Sequence, residues 1–211
     1  MEKIIVFGAT GGTGKFVVEQ ALQAGYQVTM LVRDPDAVTI LHPNLEKIKG
    51  DVFQPLTFEN ALKEKDIVVS CLGTRKRVPS TVYSEGINNI TKAMKKAGLN
   101  RIICISAGAV IVPPKSSFLL KFITAHILQR LFKHIYADML LMEKKLSESN
   151  LNWTIIRAPW LRNTRYTGKY RSIINEHLQD PSKISRADLA DYIVKHLTDK
   201  NTFQARIEIS Y

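Results

Sequence analysis

The 211-residue sequence predicts an α/β fold: a doubly wound parallel sheet covered by helices on both faces, three layers in one domain over residues 1–211. Three observations predict it. Short β-branched runs alternate with helical patterns along the whole chain, as strand–helix–strand crossovers require. The first run, Ile4-Ile5-Val6-Phe7, passes directly into the glycine-rich stretch Gly8-Ala9-Thr10-Gly11-Gly12-Thr13-Gly14. The composition, 45% hydrophobic and 23% charged, is that of a chain able to bury a sizeable core.

The elements follow in order. Lys3–Phe7 reads as the first strand and Gly14–Ala24 as the helix after the glycine turn, closed by Gly25. Gln27–Val32 and Glu46–Lys49 are the next strands, then a short helical stretch at Phe58–Lys63 and a strand at Ile67–Cys71. Val82–Ala97 is helical and ends at Gly98, and Arg101–Ile105 is a strand. Ser117–Ser149 reads as one long helical stretch capped near Asn150. Trp153–Arg157 is a strand, Ser185 with Asp188 starts a helix over Arg186–Leu197, and Arg206–Ser210 is the last strand. The residues Phe118, Phe122, Ile123, Ile127, Leu131 and Phe132 fall at helical spacing and predict a helix that covers the core rather than a membrane anchor.

Thirty Lys and Arg against nineteen Asp and Glu leave a net charge of +11, which favours anionic partners. No recognised nucleic-acid module accompanies the charge, so nucleic acid is not expected as a partner. Cys71 and Cys104 each sit in an apolar run and read as buried reduced thiols. The opening apolar run is too short for a secretion signal, and lysines and arginines interrupt the most apolar region before it could span a bilayer. A cytoplasmic protein, monomeric or weakly dimeric, is the expectation.

A glycine-rich turn between strand and helix holds phosphate, and the spacing decides whose. A Walker A loop fails twice, because Ala9 stands at its first glycine and Phe16 replaces its magnesium-binding hydroxyl. The spacing that fits is Gly8-x-x-Gly11-x-x-Gly14, a dinucleotide loop of Rossmann type. Gly8 permits the turn, Gly11 lets the backbone approach a pyrophosphate, and Gly14 lets the helix pack on the sheet. Gly12 is counted with the cofactor-binding residues, Thr10 and Thr13 can add hydroxyl donors, and the helix N-terminus attracts the phosphates. The second strand ends Met30-Leu31-Val32-Arg33 with no acid at its tip. Arg33 offers a planar fork for a 2′-phosphate, so NADP is the expected cofactor, with Asp34 read as a helix cap before Pro35.

These segments, with Ala24-Gly25-Tyr26-Gln27-Val28-Thr29, Gly50-Asp51-Val52, Leu72-Gly73-Thr74-Arg75, Cys104-Ile105-Ser106-Ala107, Tyr166-Thr167-Gly168-Lys169-Tyr170 and Ile184-Ser185-Arg186-Ala187-Asp188-Leu189, resemble the atypical short-chain dehydrogenase/reductases. The likeness runs over nearly the whole chain and is strongest to the biliverdin-IXβ reductase, or flavin reductase, group. The resemblance implies NADPH lying along the strand ends. Asp51 and Val52 would frame the adenine, and Gly73, Thr74 and Arg75 would line the diphosphate and ribose. Ser106 and Pro159 would sit at the nicotinamide end. It further implies hydride transfer to a conjugated acceptor, flavin first, with a tetrapyrrole or quinone as relatives. The rival implication is an NmrA-like NADP-binding redox sensor without catalysis.

Two departures bear on chemistry. No Tyr-x-x-x-Lys occurs, so the usual tyrosine acid of alcohol-oxidising relatives is absent. Where the reductase group has histidine after the strand-ending proline, this chain has Pro159-Trp160. Indole has one donor and no useful pKa. Trp160 is therefore read as a flat face on which a substrate ring stacks, with a plug in the pocket and simple core packing as the other readings. Ser106 is read as orienting substrate or nicotinamide, or as capping a turn. Arg75-Lys76-Arg77 and Arg162, Arg165, Lys169 and Arg171 are read as a basic rim that steers anionic aromatic substrates such as flavin mononucleotide. No Gly-x-Ser-x-Gly elbow and no metal-ligand spacing are found, and no metal site is expected.

Overall fold

The computed structural model describes residues 2–74 and 78–211. The strands are β1 (Lys3–Phe7), β2 (Gln27–Val32), β3 (Leu45–Lys49), β4 (Ile67–Ser70), β5 (Arg101–Ala107), β6 (Asn152–Ala158), β7 (Trp160–Arg162), β8 (Arg171–Ile174), β9 (Lys183–Ser185) and β10 (Ala205–Ser210). The helices are α1 (Gly12–Gln23), α2 (Ser84–Ala97), α3 (Phe118–Ile123), α4 (Gln129–Leu131), α5 (Lys133–Ser147) and α6 (Arg186–Lys195), with a π turn at Thr124–Leu128 between α3 and α4.

Eight strands form one sheet in the order β3-β2-β1-β4-β5-β6-β10-β8. Every pairing is parallel except β10 with β8, which closes one edge antiparallel. The order reverses between β1 and β4, and in open α/β sheets such a switch point is where ligands bind, outside the carboxyl ends of the strands. The doubly wound architecture expected from the alternation is the one observed. β7 and β9 form a separate two-stranded ribbon beyond it.

Alternation in the strands divides the core. Ile4 and Val6 face one side with Val17, Val18 and Ala21 of α1 and Leu189 and Ile193 of α6. Ile5 and Phe7 face the other with Ile87, Ile90 and Met94 of α2 and Met142 and Leu146 of α5. Because both faces are covered, the central strands read as unbroken apolar runs rather than alternating ones.

The amino-terminal edge is stitched by Arg101, which donates to Leu197 O, Asn152 O, Thr154 Oγ1, His196 O and Thr202 Oγ1 at 2.7–3.1 Å. Burial lowers its pKa to about 10, and its five bonds keep a guanidinium where a bare cation would be costly. Cys104 is buried and Cys71 partly so, and burial pushes both thiols up, Cys71 to about 12.

Several expectations need correction. Phe58–Lys63 is not an α-helix but follows a short 3-10 turn at Pro55–Thr57 and mostly forms another at Asn60–Glu64. Asp34 caps no helix: residues 35–38 make a turn closed by Val38 N to Pro35 O at 3.1 Å. The stretch 117–149 is broken by the π turn and at Phe132. No proline or glycine marks that break; Gln129 Nε2 there reaches the Ala109 and Val110 carbonyls at 3.3 and 3.4 Å. The apolar residues of Phe118–Leu131 do not cover the core, since Phe118, Phe122, Ile127 and Leu131 are exposed. By contrast Gly25 and Gly98 follow their helices at φ +88° and +71°, and Ser185 caps α6 by accepting from Asp188 N.

Candidate functional site

The site begins where β1 ends. Gly8 adopts φ +70°, and a Cβ there would lie 2.4 Å from the Cys71 carbonyl oxygen across the switch point. At Gly14 a Cβ would lie 2.2 Å from the Gly8 carbonyl oxygen, so α1 packs against the turn only because both residues lack side chains. Gly11 closes the turn by donating to Gly8 O at 2.9 Å. The first turn of α1 carries no side-chain cap and no acid, which leaves its N–H groups for an anion. Thr10 is exposed beside it, whereas Thr13 is buried in the helix's first turn.

A cavity of about 370 Å³ lies between this loop and the tip of β2, lined by Thr10, Lys15, Arg33, Asp34 and Thr39 among others. Lys15 joins Arg33 there, a second cation that strand-tip reasoning missed. Its signal was its place in the first turn of the helix after the glycines. Glu19 also lines the cavity, so with Lys15 and Arg33 set against Glu19 and Asp34 its charge is mixed. From the far end of the chain, α6 brings Arg186 across the loop. A Cβ on Gly12 would lie 2.7 Å from Arg186 Nε, and the guanidinium is held by Asn163 Oδ1 at 2.8 Å and Leu161 O at 3.3 Å. No local signal in the sequence points to that meeting.

Asp51 and Val52 follow β3 on the same carboxyl edge. Asp51 accepts from Phe53 N at 2.9 Å, and Val52 is buried, its carbonyl accepting from Asn89 Nδ2 at 3.0 Å. Gly73 is exposed after β4, where a Cβ would lie 3.8 Å from Tyr83 Oη, and Thr74 follows. Arg75, and with it Lys76 and Arg77, lies outside the described residues. The glycine turn, an uncapped helix start, and Lys15 and Arg33 on one cavity fit a dinucleotide carrying several phosphates.

At the other end of the crevice the outcome is different. Ser106 is 2% exposed, and its hydroxyl donates to Glu143 Oε1 at 2.7 Å. Glu143 is itself buried and receives Arg157 Nε at 3.1 Å and Nη2 at 2.7 Å, and Arg206 Nε at 3.4 Å. Ser106 thus faces an interior ion-pair cluster, not open space and not a turn. Pro159 is half-buried between β6 and β7. Trp160 is 73% exposed, which excludes core packing. It lines a groove of about 520 Å³ with Arg162, Ser182 and Lys183.

Part of the basic rim lies among the described residues. Arg162, Arg165 and Lys169 are exposed after β7, but Arg171 is tied to Tyr211 O and Asp180 O at 3.1 and 3.2 Å. The rim loop is held by Asp188, which accepts from Thr167 N, Gly168 N, Thr167 Oγ1, Ser185 Oγ and Tyr211 Oη. Burial pushes the Asp188 pKa up, but the donors, Tyr211 foremost, outweigh it and hold the group below the usual carboxylate range. No metal-binding cluster occurs, and no helix is long and apolar enough to cross a membrane, among the described residues.

The profile of a family described as NAD(P)H-binding matches residues 8–200. An uncharacterized chloroplastic protein of Arabidopsis thaliana is 28% identical over 99% of this chain and 76% of its own length. Several further relatives are longer, and the chain spans 44% or less of their length. Among solved structures, a short-chain dehydrogenase/reductase from Veillonella parvula in complex with NADP superposes with a TM-score of 0.82 at 20% identity, covering 100% of this chain and 94% of that one. A candidate NADH-flavin reductase from Streptococcus pneumoniae gives 0.82 at 22% identity, covering 100% and 99%. At such identities the likeness establishes the fold alone.

Proposed function

The chain belongs to the NAD(P)H-binding family, and from that premise we propose that it is an NADPH-dependent reductase of conjugated acceptors, flavins foremost. The observation that carries the reading is the meeting of Lys15 and Arg33 at one cavity beside the glycine turn. Two cations on one cavity would hold a 2′-phosphate, which NADH lacks. Bound there, NADPH supplies a hydride.

The chain's own residues then have three tasks. The glycine turn, the α1 N-terminus and Arg186 hold the diphosphate. The crevice at the β1–β4 switch point sets the direction in which the cofactor extends. Trp160 gives the acceptor ring an apolar face, while Arg162 and Lys183 in the same groove offset the charge of an anionic acceptor. An acceptor with a delocalised π system spreads the incoming charge and takes its proton from solvent. This accords with a chain that has no Tyr-x-x-x-Lys and whose Ser106 hydroxyl is engaged by Glu143. That engagement also favours the second reading, a redox sensor that binds NADP without turnover.

Oxidation of NADPH, followed with flavin mononucleotide, dichlorophenolindophenol and biliverdin in turn, separates the two. Turnover with any of them supports the reductase. Tight NADPH binding with no turnover on all three supports the sensor.

A further inference from the structure

Along residues 118–131 the outward apolar side chains are Phe118, Phe122, Ile127 and Leu131, separated by four, five and four residues. That spacing follows the backbone. In α-helix a four-residue step keeps the same face, and across the π turn at Thr124–Leu128 a five-residue step does. The extra residue of the π turn therefore keeps Ile127 and Leu131 in line with the two phenylalanines. Phe118 is 84% exposed, Leu119 beside it 66%, and Ile127 and Leu131 50% each. Thr124, 2% exposed, marks the inward side of the same segment.

The face is held in place from behind. Ser117 N donates to Asp180 Oδ1 at 2.8 Å at one end, and Gln129 Nε2 reaches two carbonyls of residues 109–110 near the other. The segment itself carries charge of one sign, and Asp180 and Glu176 meet it only at its start. From residue 86 to residue 137 the chain has no aspartate or glutamate. Lys115 pairs with Glu176 at 3.4 Å, but Lys121, Arg130 and Lys133 make no ion pair among the described residues. An outward apolar stripe on a segment with Lys121, Arg130 and Lys133 and no acid of its own is costly in water and needs a cover.

We propose that this face docks on an anionic lipid bilayer, with the stripe lying in the headgroup region and the cations against lipid phosphates. A second copy is a poor cover, since two such faces would oppose their positive charges, and the whole chain carries +11. Among the described residues no helix is long and apolar enough to cross a bilayer, so the contact proposed is peripheral. It stands independently of the cofactor reading.

The test is co-sedimentation of the full chain with phosphatidylcholine vesicles, with and without phosphatidylglycerol. Binding is expected only with phosphatidylglycerol and should weaken as salt rises. The paired substitutions Phe118→Ser and Phe122→Ser leave the charge intact and should lower partitioning roughly tenfold. Lys121→Glu with Arg130→Glu should abolish it. An unchanged melting temperature would show that the variants are folded. Binding unaffected by the phenylalanine pair would mean simple adsorption of a basic protein and overturns the proposal. So does a concentration-dependent dimer broken by that pair without vesicle binding, or binding to polyglutamate with none to vesicles.

Discussion

Ser106 donates a 2.7 Å hydrogen bond to Glu143, and the same carboxylate grips Arg157 at 2.7 Å. The pair joins the end of β5 to α5 and, through Arg157, to β6. A hydroxyl given to a buried, ion-paired carboxylate contributes to stability. Ser106→Ala is expected to cost about 1.5–3 kcal/mol, the range for a hydrogen bond to a charged group, read as a lower denaturant midpoint. A turnover loss with unchanged stability would restore Ser106 to a role at the nicotinamide.

Lys15 and Arg33 line one cavity, and each is expected to matter for NADPH alone. Lys15→Ala and Arg33→Ala should each weaken NADPH binding by about 1.5–3 kcal/mol, with NADH nearly unaffected. Equal losses for both cofactors in a titration would remove the 2′-phosphate assignment.

Trp160 is exposed, so its loss should change stability by no more than about 0.5 kcal/mol. Trp160→Ala is expected to raise the Michaelis constant for flavin and leave the NADPH dissociation constant alone. A Michaelis constant that does not move would take the indole out of the acceptor site.

Asp188 makes the loop of residues 165–169 depend on pH. Its folded pKa lies below the unfolded value, so the stability it adds is complete above about pH 4 and is lost as pH falls through the folded value. Asp188→Asn should cost about 2–3 kcal/mol at neutral pH, because its amide meets donors with donors. The gap between wild type and variant should narrow on acidification towards pH 3. A gap independent of pH would show that shape, not charge, is what Asp188 supplies.

Entry of flavin mononucleotide past Arg162, Arg165 and Lys169 should be salt-sensitive, because these exposed cations attract it through solvent. Its kcat/KM is expected to fall as ionic strength rises, while that of uncharged riboflavin changes little. Parallel salt profiles for the two flavins would show that the loop does not steer.

What the sequence alone determined is what local chemistry dictates. Apolar runs and glycine spacing placed β1, the dinucleotide turn and α1, and strand–helix alternation implied the parallel sheet. Gly25, Gly98 and Ser185 marked helix ends, because a left-handed residue or a side-chain cap is settled within a few residues. Tertiary structure decided the rest. Lys15 met Arg33, and Arg186 reached Gly12, only once α1, β2 and α6 were packed side by side. The same helical spacing that predicted a core face at Phe118–Leu131 turned outward instead. Periodicity says which residues share a face, and only the neighbouring elements decide which way it looks. Ser106 left the expected site for that reason, enclosed by Glu143 of α5, while Trp160 on β7 stayed exposed at the rim.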